Sequence, residues 1–175
     1  TGLYTNVYKN IFSNVSTGVD LNNSKAIVRN NIISTDPNSQ ATIIAGLLIT
    51  GSNSSYTPII DSNYIEANQS STFGIRQDLS SNPIISNNII RLKHFSYGIE
   101  IYSTSGTVKT FNNLIYTEIG GHGIYNGGVQ YLLSYNNFVI GFNTSVSHSG
   151  PFDEIKNNVV TNSNTGITAW STPPV

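Results

Sequence analysis

The sequence lacks cysteine and methionine and contains few charged residues. Without cysteine, disulfides, thiolate metal sites and cysteine nucleophiles are excluded. Charged residues make up only 10% of the 175 positions, against about 25% in an ordinary soluble domain. The eight lysines and arginines are scattered and the net charge is −1, so we expect no nucleic acid partner. Because methionine is absent, we expect a mature or excised piece of a longer protein.

Long hydrophobic segments are also missing. The longest apolar run extends from Ala41 to Ile49 and is interrupted by Thr42 and Gly46. A membrane-spanning helix needs about 18 or more consecutive apolar residues, so we expect no membrane insertion. Many extracellular bacterial proteins lack cysteine, and we therefore expect an extracellular or cell-surface location.

The residues that are abundant are uncharged polar and strand-forming ones. The sequence has 24 Asn, ten Tyr and seven Phe, together with many Ile and Val. A disordered chain would instead be highly charged and poor in aromatic and β-branched residues. The composition predicts one ordered, β-rich domain with an uncharged polar surface.

One motif recurs along the chain: an Asn, an aliphatic residue two positions later, and then a Gly that opens an apolar segment. The Asn positions, 21 to 32 residues apart, are Asn31, Asn63, Asn88, Asn113, Asn137 and Asn158, with Asn10 as a degenerate first copy. The aliphatic positions are Ile33, Ile65, Ile90, Ile115, Val139 and Val160. The Gly positions are Gly18, Gly46, Gly74, Gly98, Gly123 and Gly166. A fixed period in the twenties indicates stacked supersecondary units.

The repeat favours an all-β parallel solenoid of about seven rungs over the other repeat folds. Leucine-rich repeats have a similar period but a spaced leucine pattern that is missing here, and a sandwich would not need the same Asn and Gly at one phase. In stacked rungs the aliphatic residues form the core, and the six Asn form a ladder of amides at a corner that Asn tolerates in the left-handed conformation. We expect this domain to span residues 1–170, followed by a Pro-rich end or linker at 171–175.

The pattern G-I-x-I … I-x-N-N-x-I resembles the right-handed parallel β-helix repeat of the pectate-lyase-like superfamily. The resemblance extends from about Tyr8 to Trp170. That superfamily includes polygalacturonases, alginate epimerases, phage tailspikes and bacterial surface proteins, so the resemblance implies the fold more strongly than an activity. The Asp-Pro-His-Asp string of the epimerases and the Arg-x-Pro-x-x-Arg string of the pectate lyases are both absent.

The resemblance implies that a binding groove would lie on the outer face of the sheet formed by the Gly-Ile-x-Ile segments. Strand alternation predicts two outward stripes on this sheet. The first contains Asp20, Leu48, Arg76, Glu100, Tyr125, Ser147 and Thr168; the second contains Asn22, Thr50, Asp78, Tyr102, Gly127, Ser149 and Trp170.

Two interpretations of this face stay open. In the first, Tyr102, Tyr125 and Trp170 bind a saccharide, and the weak catalytic candidates Arg76, Asp78 and Glu100 act on it. In the second, Arg76 and Glu100 form a surface salt bridge of little energetic value, and the aromatic residues are ordinary strand residues.

Few other side chains suggest chemistry. The histidines are His94, His122 and His148; no ligand spacing among them supports a metal, and we expect His122, in a Gly-rich turn, to face solvent. No cofactor is expected, although Ca²⁺ could bind at the oxygen-rich turns 36–38 and 61–63.

The sequence therefore predicts an extracellular or cell-surface module that is structural or adhesive and binds polysaccharide, with noncatalytic function favoured. The alternative is a polysaccharide lyase or glycoside hydrolase, or a fragment of one. Stacked rungs leave open edges, so end-to-end or other homo-oligomeric assembly is also expected as a partner interaction.

Overall fold

The chain was analysed as a computed structural model that describes residues 4–51, 55–78, 81–102, 105–128, 131–150 and 153–169. These residues form 21 β-strands in three sheets. Within them, no helix is long and apolar enough to cross a membrane. The predicted positions beyond these ranges include Trp170 and the end at 171–175, so both domain limits stay predictions.

Each sheet takes every third strand of the chain. Sheet 1 contains β1 (Thr5–Tyr8), β4 (Ala26–Arg29), β7 (Ile59–Asp61), β10 (Ile84–Ser86), β13 (Thr107–Phe111), β16 (Tyr131–Tyr135) and β19 (Glu154–Lys156). Sheet 2 contains β2 (Ile11–Val15), β5 (Ile32–Thr35), β8 (Tyr64–Ala67), β11 (Ile89–Leu92), β14 (Leu114–Thr117), β17 (Phe138–Ile140) and β20 (Val159–Thr161). Sheet 3 contains β3 (Thr17–Asn22), β6 (Ala45–Thr50), β9 (Phe73–Asp78), β12 (Ser96–Tyr102), β15 (Gly121–Asn126), β18 (Thr144–His148) and β21 (Thr165–Ala169).

All strand pairs are parallel, and residues of the same motif position lie in register. Ile90, for example, is opposite Ile65 on one side and Ile115 on the other. Three strands make one rung of a coil, which confirms the all-β parallel solenoid. The seven strands of each sheet agree with the prediction of about seven rungs. At about 4.8 Å per strand spacing, the six steps from first to last rung span roughly 29 Å.

The core consists of the predicted aliphatic stack together with inward residues of the other two sheets. Ile33, Ile65, Ile90, Ile115 and Val139 are completely buried. Val160, in the last rung, packs against this cluster but is only partly buried. Burying aliphatic side chains from water is the main favourable term that holds successive rungs together.

At the corner between sheets 1 and 2, one residue adopts the left-handed backbone conformation and the next one forms the amide ladder. The prediction places both on the same Asn. The left-handed conformation belongs to the residue before the ladder Asn, with φ between 54° and 57°. These residues are Asn30, Ser62, Asn87, Asn112, Asn136 and Asn157. The ladder Asn lies directly before the first residue of the next strand, and its side-chain amide forms hydrogen bonds.

The ladder is confirmed, and Asn88 illustrates its pattern. Its Oδ1 accepts hydrogen bonds from both the backbone N–H and the Nδ2 of Asn63, each at 3.0 Å. Its own Nδ2 donates to the carbonyl of Ile60 and to Oδ1 of Asn113, also at 3.0 Å. The same linkage begins at Asn10 and ends at Asn158. The ladder thus satisfies buried donors and acceptors that the bend would leave without partners.

The recurring Gly is needed for close approach and not for a left-handed backbone. A Cβ on Gly74 would lie 2.6 Å from the carbonyl oxygen of Gly98 and would collide with a methyl group of Ile90. Because each Gly packs against the same position of the next rung, the requirement repeats from the first rung to the fifth, and Ser145 takes the Gly position in the sixth. The aliphatic stack and the Gly series are therefore one packing unit.

The outer face of sheet 2 carries an apolar stripe that sequence analysis did not single out. The stripe is formed by the residue that follows each ladder Asn, and these residues are in register in consecutive rungs. The stripe consists of Ile11, Ile32, Tyr64, Ile89, Leu114, Phe138 and Val159, five of which are exposed.

Candidate functional site

The outer face of sheet 3 has the stripe that strand alternation predicts. Arg76 is opposite Leu48 on one side and Glu100 on the other, and Glu100 is opposite Tyr125. The neighbouring inward residues Ile75 and Ile99 are completely buried. The second stripe is also in register where Tyr102 lies opposite Asp78.

The three charged candidates form one connected cluster around Arg76. Its Nε donates to Oδ1 and Oδ2 of Asp78 at 2.9 and 3.0 Å. Its Nη1 lies 3.2 Å from Oε2 of Glu100 in the next rung. Its guanidinium carbon also lies 4.5 Å from the centre of the Phe73 ring, close enough for a cation–π interaction. The predicted Arg76–Glu100 salt bridge is therefore present, and Asp78 is part of it.

Glu100 is the unusual member of the cluster because it is buried, with only 7% of its surface exposed. Burial raises the pKa of its carboxyl, and the charge of Asp78 adds to the increase, while Arg76 opposes it. Oε2 is inaccessible to solvent and accepts no hydrogen bond within the described chain, so its contact with Arg76 is ionic only. This carboxyl is consequently easier to protonate than an exposed glutamate.

An aromatic stack that sequence analysis did not predict lies beside the charged cluster. The rings of Phe73 and Tyr97 stack with centroids 5.5 Å apart, and Tyr97 and His122 stack at 5.0 Å. All three residues immediately precede the recurring Gly and are in register in consecutive rungs. The position before that Gly is the sequence signal that could have identified the stack.

The prediction for His122 was wrong. This residue is the second residue of β15 and is partly buried between Tyr97, Tyr125 and Phe95, whereas the positive φ angles of the Gly-rich stretch belong to Gly120 and Gly121 before it. Burial lowers the pKa of its imidazole. Its Nδ1 is buried and has no hydrogen-bond partner among the described residues.

The stack turns the flat faces of its rings toward one another, so a ligand meets mainly ring edges there. Tyr125 is different: its ring makes angles of 69° and 64° with Tyr97 and His122, at centroid distances of 5.6 and 5.3 Å. It therefore leans against the side of the stack in another orientation.

Tyr102 and Tyr125 lie close to one backbone position. A Cβ on Gly127 would be 2.9 Å from Cε1 of Tyr125 and 3.4 Å from Cδ2 of Tyr102. Tyr102 is 63% exposed. Because Gly127 has no side chain, both rings can pack close to the backbone at this position. The third predicted aromatic residue, Trp170, lies outside the described residues.

Other polar groups of the described chain are engaged in structural contacts. His148 approaches Asp153, whose carboxylate also accepts from the backbone N–H of Leu132 and the amide of Asn126. Asp61, in one of the two turns considered for Ca²⁺, accepts hydrogen bonds from three neighbouring side chains. No group of three or more acidic or histidine ligands occurs in the part of the chain that the structure describes.

The sequence matches one family model, described as a right-handed β-helix region, over residues 2–144. The chain belongs to the right-handed β-helix family. This match confirms the handedness, and it is consistent with the resemblance to the pectate-lyase-like superfamily. Neither curated proteins nor solved structures gave a match.

One face of this right-handed β-helix thus carries the exposed Tyr102 and the half-buried Tyr125. The same face carries a buried carboxyl, that of Glu100, and the ion-paired Arg76. Aromatic rings offer flat apolar surface with polar edges, and the charged groups offer hydrogen-bond donors and acceptors. Such a surface can bind a ligand that is both apolar and hydroxylated. The guanidinium of Arg76 is already engaged by Asp78 and Glu100.

Proposed function

We propose that this right-handed β-helix is a noncatalytic module of an extracellular or cell-surface protein, structural or adhesive in role, that binds polysaccharide on the outer face of sheet 3. The observation that carries the proposal is the placement of two outward tyrosines, Tyr102 and Tyr125, next to each other beside Gly127, with Tyr102 exposed. Sugar rings stack their C–H faces on aromatic side chains, and their hydroxyl groups bond to nearby polar groups.

The polar groups beside the tyrosines support the same proposal. Asp78 and Arg76 are each about one-fifth exposed at the side chain, so both keep atoms available to a ligand. Their mutual ion pair holds them in defined positions, and ordered donors and acceptors favour specific binding of hydroxyl groups. The rungs stack about 4.8 Å apart along the axis of the coil. The outer face of sheet 3 is therefore long in that direction, which suits an extended polysaccharide chain.

The test is binding of the protein to a panel of immobilised polysaccharides, with Tyr125→Ala and Tyr102→Ala as variants. We expect each variant to weaken binding roughly tenfold, in the range of about 1–3 kcal/mol typical of a lost aromatic contact. Tyr135→Ala, which alters a tyrosine on the outer face of sheet 1, is the matched control and should bind as the parent does. Loss of binding in the control alone, or no binding to any polysaccharide, would contradict the proposal.

A glycoside hydrolase, or a fragment of one, is the second candidate, and the raised pKa of Glu100 favours it. A general acid requires a carboxyl that keeps its proton above the ordinary carboxyl pKa, and burial shifts the pKa of Glu100 in that direction. Incubation with the same polysaccharides, followed by measurement of new reducing ends, tests this candidate. Product that disappears in Glu100→Gln but persists in Glu118→Gln would favour hydrolysis over simple binding.

A further inference from the structure

The charges on the outer face of sheet 3 are strongly unequal. Its described residues carry three acidic side chains, those of Asp20, Asp78 and Glu100, against one cation, Arg76, and two carboxylates remain even when the buried Glu100 is protonated. His122 also lies on this face, and burial lowers the pKa of its imidazole, so it adds no positive charge near neutral pH. The face is therefore negative overall, although the protein as a whole is nearly neutral.

The single cation is already ion-paired with two acidic side chains. Nε of Arg76 is committed to both oxygens of Asp78, and Nη1 lies 3.2 Å from Glu100. The closest lysine in sequence is Lys93, in the turn that leads into β12, and its amine pairs with Glu66 at 2.7 Å. An anionic sugar would have to share this guanidinium with acidic side chains that already oppose its charge.

We infer that the sheet 3 face binds uncharged polysaccharide and discriminates against polyuronates. This inference rests on the proposed function and adds the chemical class of its ligand. A uronate carboxylate beside Asp78 would meet like charge in a partly desolvated site, where repulsion is several times stronger than in bulk water. Specificity of this kind comes from an unfavourable contact with the wrong ligand.

A multivalent cation could in principle bridge a uronate to the acidic side chains. Such bridging needs several oxygen ligands converging on one point. Among the described residues, no group of three or more acidic or histidine side chains converges in this way. Asp78 and Glu100 instead share one guanidinium. The face therefore has no preformed cation site that would reverse the discrimination.

The experiment compares chains with one backbone and different charge: cellohexaose, a β-1,4-glucuronan hexamer and a β-1,4-glucosamine hexamer, by isothermal titration calorimetry at about pH 6 and low salt. A parallel pair, mannohexaose and a mannuronate hexamer, repeats the comparison on another backbone. For whichever sugar backbone binds, we expect the carboxylated hexamer to bind at least about tenfold more weakly than the neutral hexamer. This is the effect of one unfavourable charge contact. The difference should narrow as added salt screens the repulsion.

Two variants separate local from general charge effects. Asp78→Asn removes one negative charge and releases Nε of Arg76, so we expect uronate affinity to rise about tenfold relative to the neutral hexamer. Asp20→Asn removes the same charge two strands away, because Asp20 is opposite Leu48 and Leu48 is opposite Arg76. It is the matched control and should change the ratio by much less.

The outcomes distinguish the inference from the proposed function. Equal or tighter binding of a carboxylated hexamer, or weaker binding of the glucosamine hexamer than of cellohexaose, overturns the inference and leaves the proposed function standing. Failure of every hexamer and every polysaccharide to bind overturns the proposed function and the inference with it. If Asp78→Asn discriminates against uronate as strongly as the parent does, the role given to Asp78 and to its ion pair with Arg76 is contradicted.

Discussion

At five of the corners between sheets 1 and 2, two adjacent asparagines meet two different physical demands. Asn112 is exposed and adopts φ 57°, which Asn tolerates better than most residues because its short polar side chain bonds locally. Asn113 is 1% exposed and joins three rungs through its amide. The repeated pair in the sequence is therefore one residue for the bend and one for the ladder.

Substitution at these two neighbouring positions should have very different effects on stability. Asn113→Ala leaves the backbone N–H and amide of Asn88 and the carbonyl of Ile85 without their partners. We expect it to lower the free energy of unfolding by about 3 kcal/mol or more. Asn112→Ala should cost only about 1 kcal/mol for the left-handed backbone, and Asn112→Gly less. Urea unfolding measures all three, and equal effects at the two positions would refute the division of roles.

Glu100 gives a prediction on pH dependence. Because its pKa is raised in the folded state, the protein loses stability as the pH rises from the ordinary carboxyl pKa through the folded-state value. Glu100→Gln removes this loss. We therefore expect the melting temperature of the variant, relative to the parent, to increase between about pH 4 and pH 7. Glu118→Gln, at a side chain that is 85% exposed, should show no such trend; a flat difference for Glu100→Gln would contradict the effect of burial.

At the scale of the strand, alternation decides which of two similar residues holds the fold together. Ile89 and Ile90 are adjacent in β11, yet Ile89 is 41% exposed in the apolar stripe of sheet 2 and Ile90 is completely buried. A strand places successive side chains on opposite faces, and parallel in-register stacking repeats the choice in every rung. Composition does not distinguish these two isoleucines, whereas the distance from the ladder Asn does.

The pair offers a direct test of the strand register. Ile90→Ala should lower the free energy of unfolding by about 2–5 kcal/mol, the usual cost of a buried cavity. Ile89→Ala should change the free energy of unfolding by less than about 1 kcal/mol. The reason is that the Ile89 side chain is already 41% exposed, so its removal takes less apolar surface out of contact with the protein. Chemical denaturation of both variants is the measurement. The reverse order of effects would mean that the strands of sheet 2 are shifted by one residue, so that Ile89 faces the core and Ile90 faces outward.

At the scale of the whole molecule, each rung depends on its neighbours and on little else. Strands pair only with the equivalent strands of the rungs before and after, as expected for a solenoid. The Asn ladder adds an axial constraint, since each amide must meet the next at the same phase of the coil.

The coil should therefore tolerate removal of one whole rung. Asn88 and Asn113 are 25 residues apart, and deletion of residues 89–113 places Asn88 directly before Leu114 at the same phase. We expect this shortened protein to keep a strand-rich circular dichroism spectrum and a cooperative thermal transition. Deletion of 89–100, about half a rung, shifts the ladder out of phase and should prevent folding. Comparable behaviour of the two deletions would contradict register as the organising constraint.

The repeat of Asn, aliphatic residue and Gly was sufficient to predict the parallel coil, the inward stack at Ile65, Ile90 and Ile115, and the outward row that contains Arg76 and Glu100. Each of these follows from a fixed period combined with strand alternation, which are properties of the chain in one dimension. The salt bridge between adjacent rungs followed from the same register.

Only the tertiary structure decided how side chains on that row share space. The burial of Glu100, the second bond from Arg76 to Asp78, and the stacking of Tyr97 on His122 depend on side chains from different rungs. Residues of neighbouring rungs are more than twenty positions apart in sequence, and their conformations respond to packing that no local pattern encodes. The sequence by itself therefore determined the coil and its register, while three-dimensional packing determined the electrostatics and shape of the face where we propose that ligand binds.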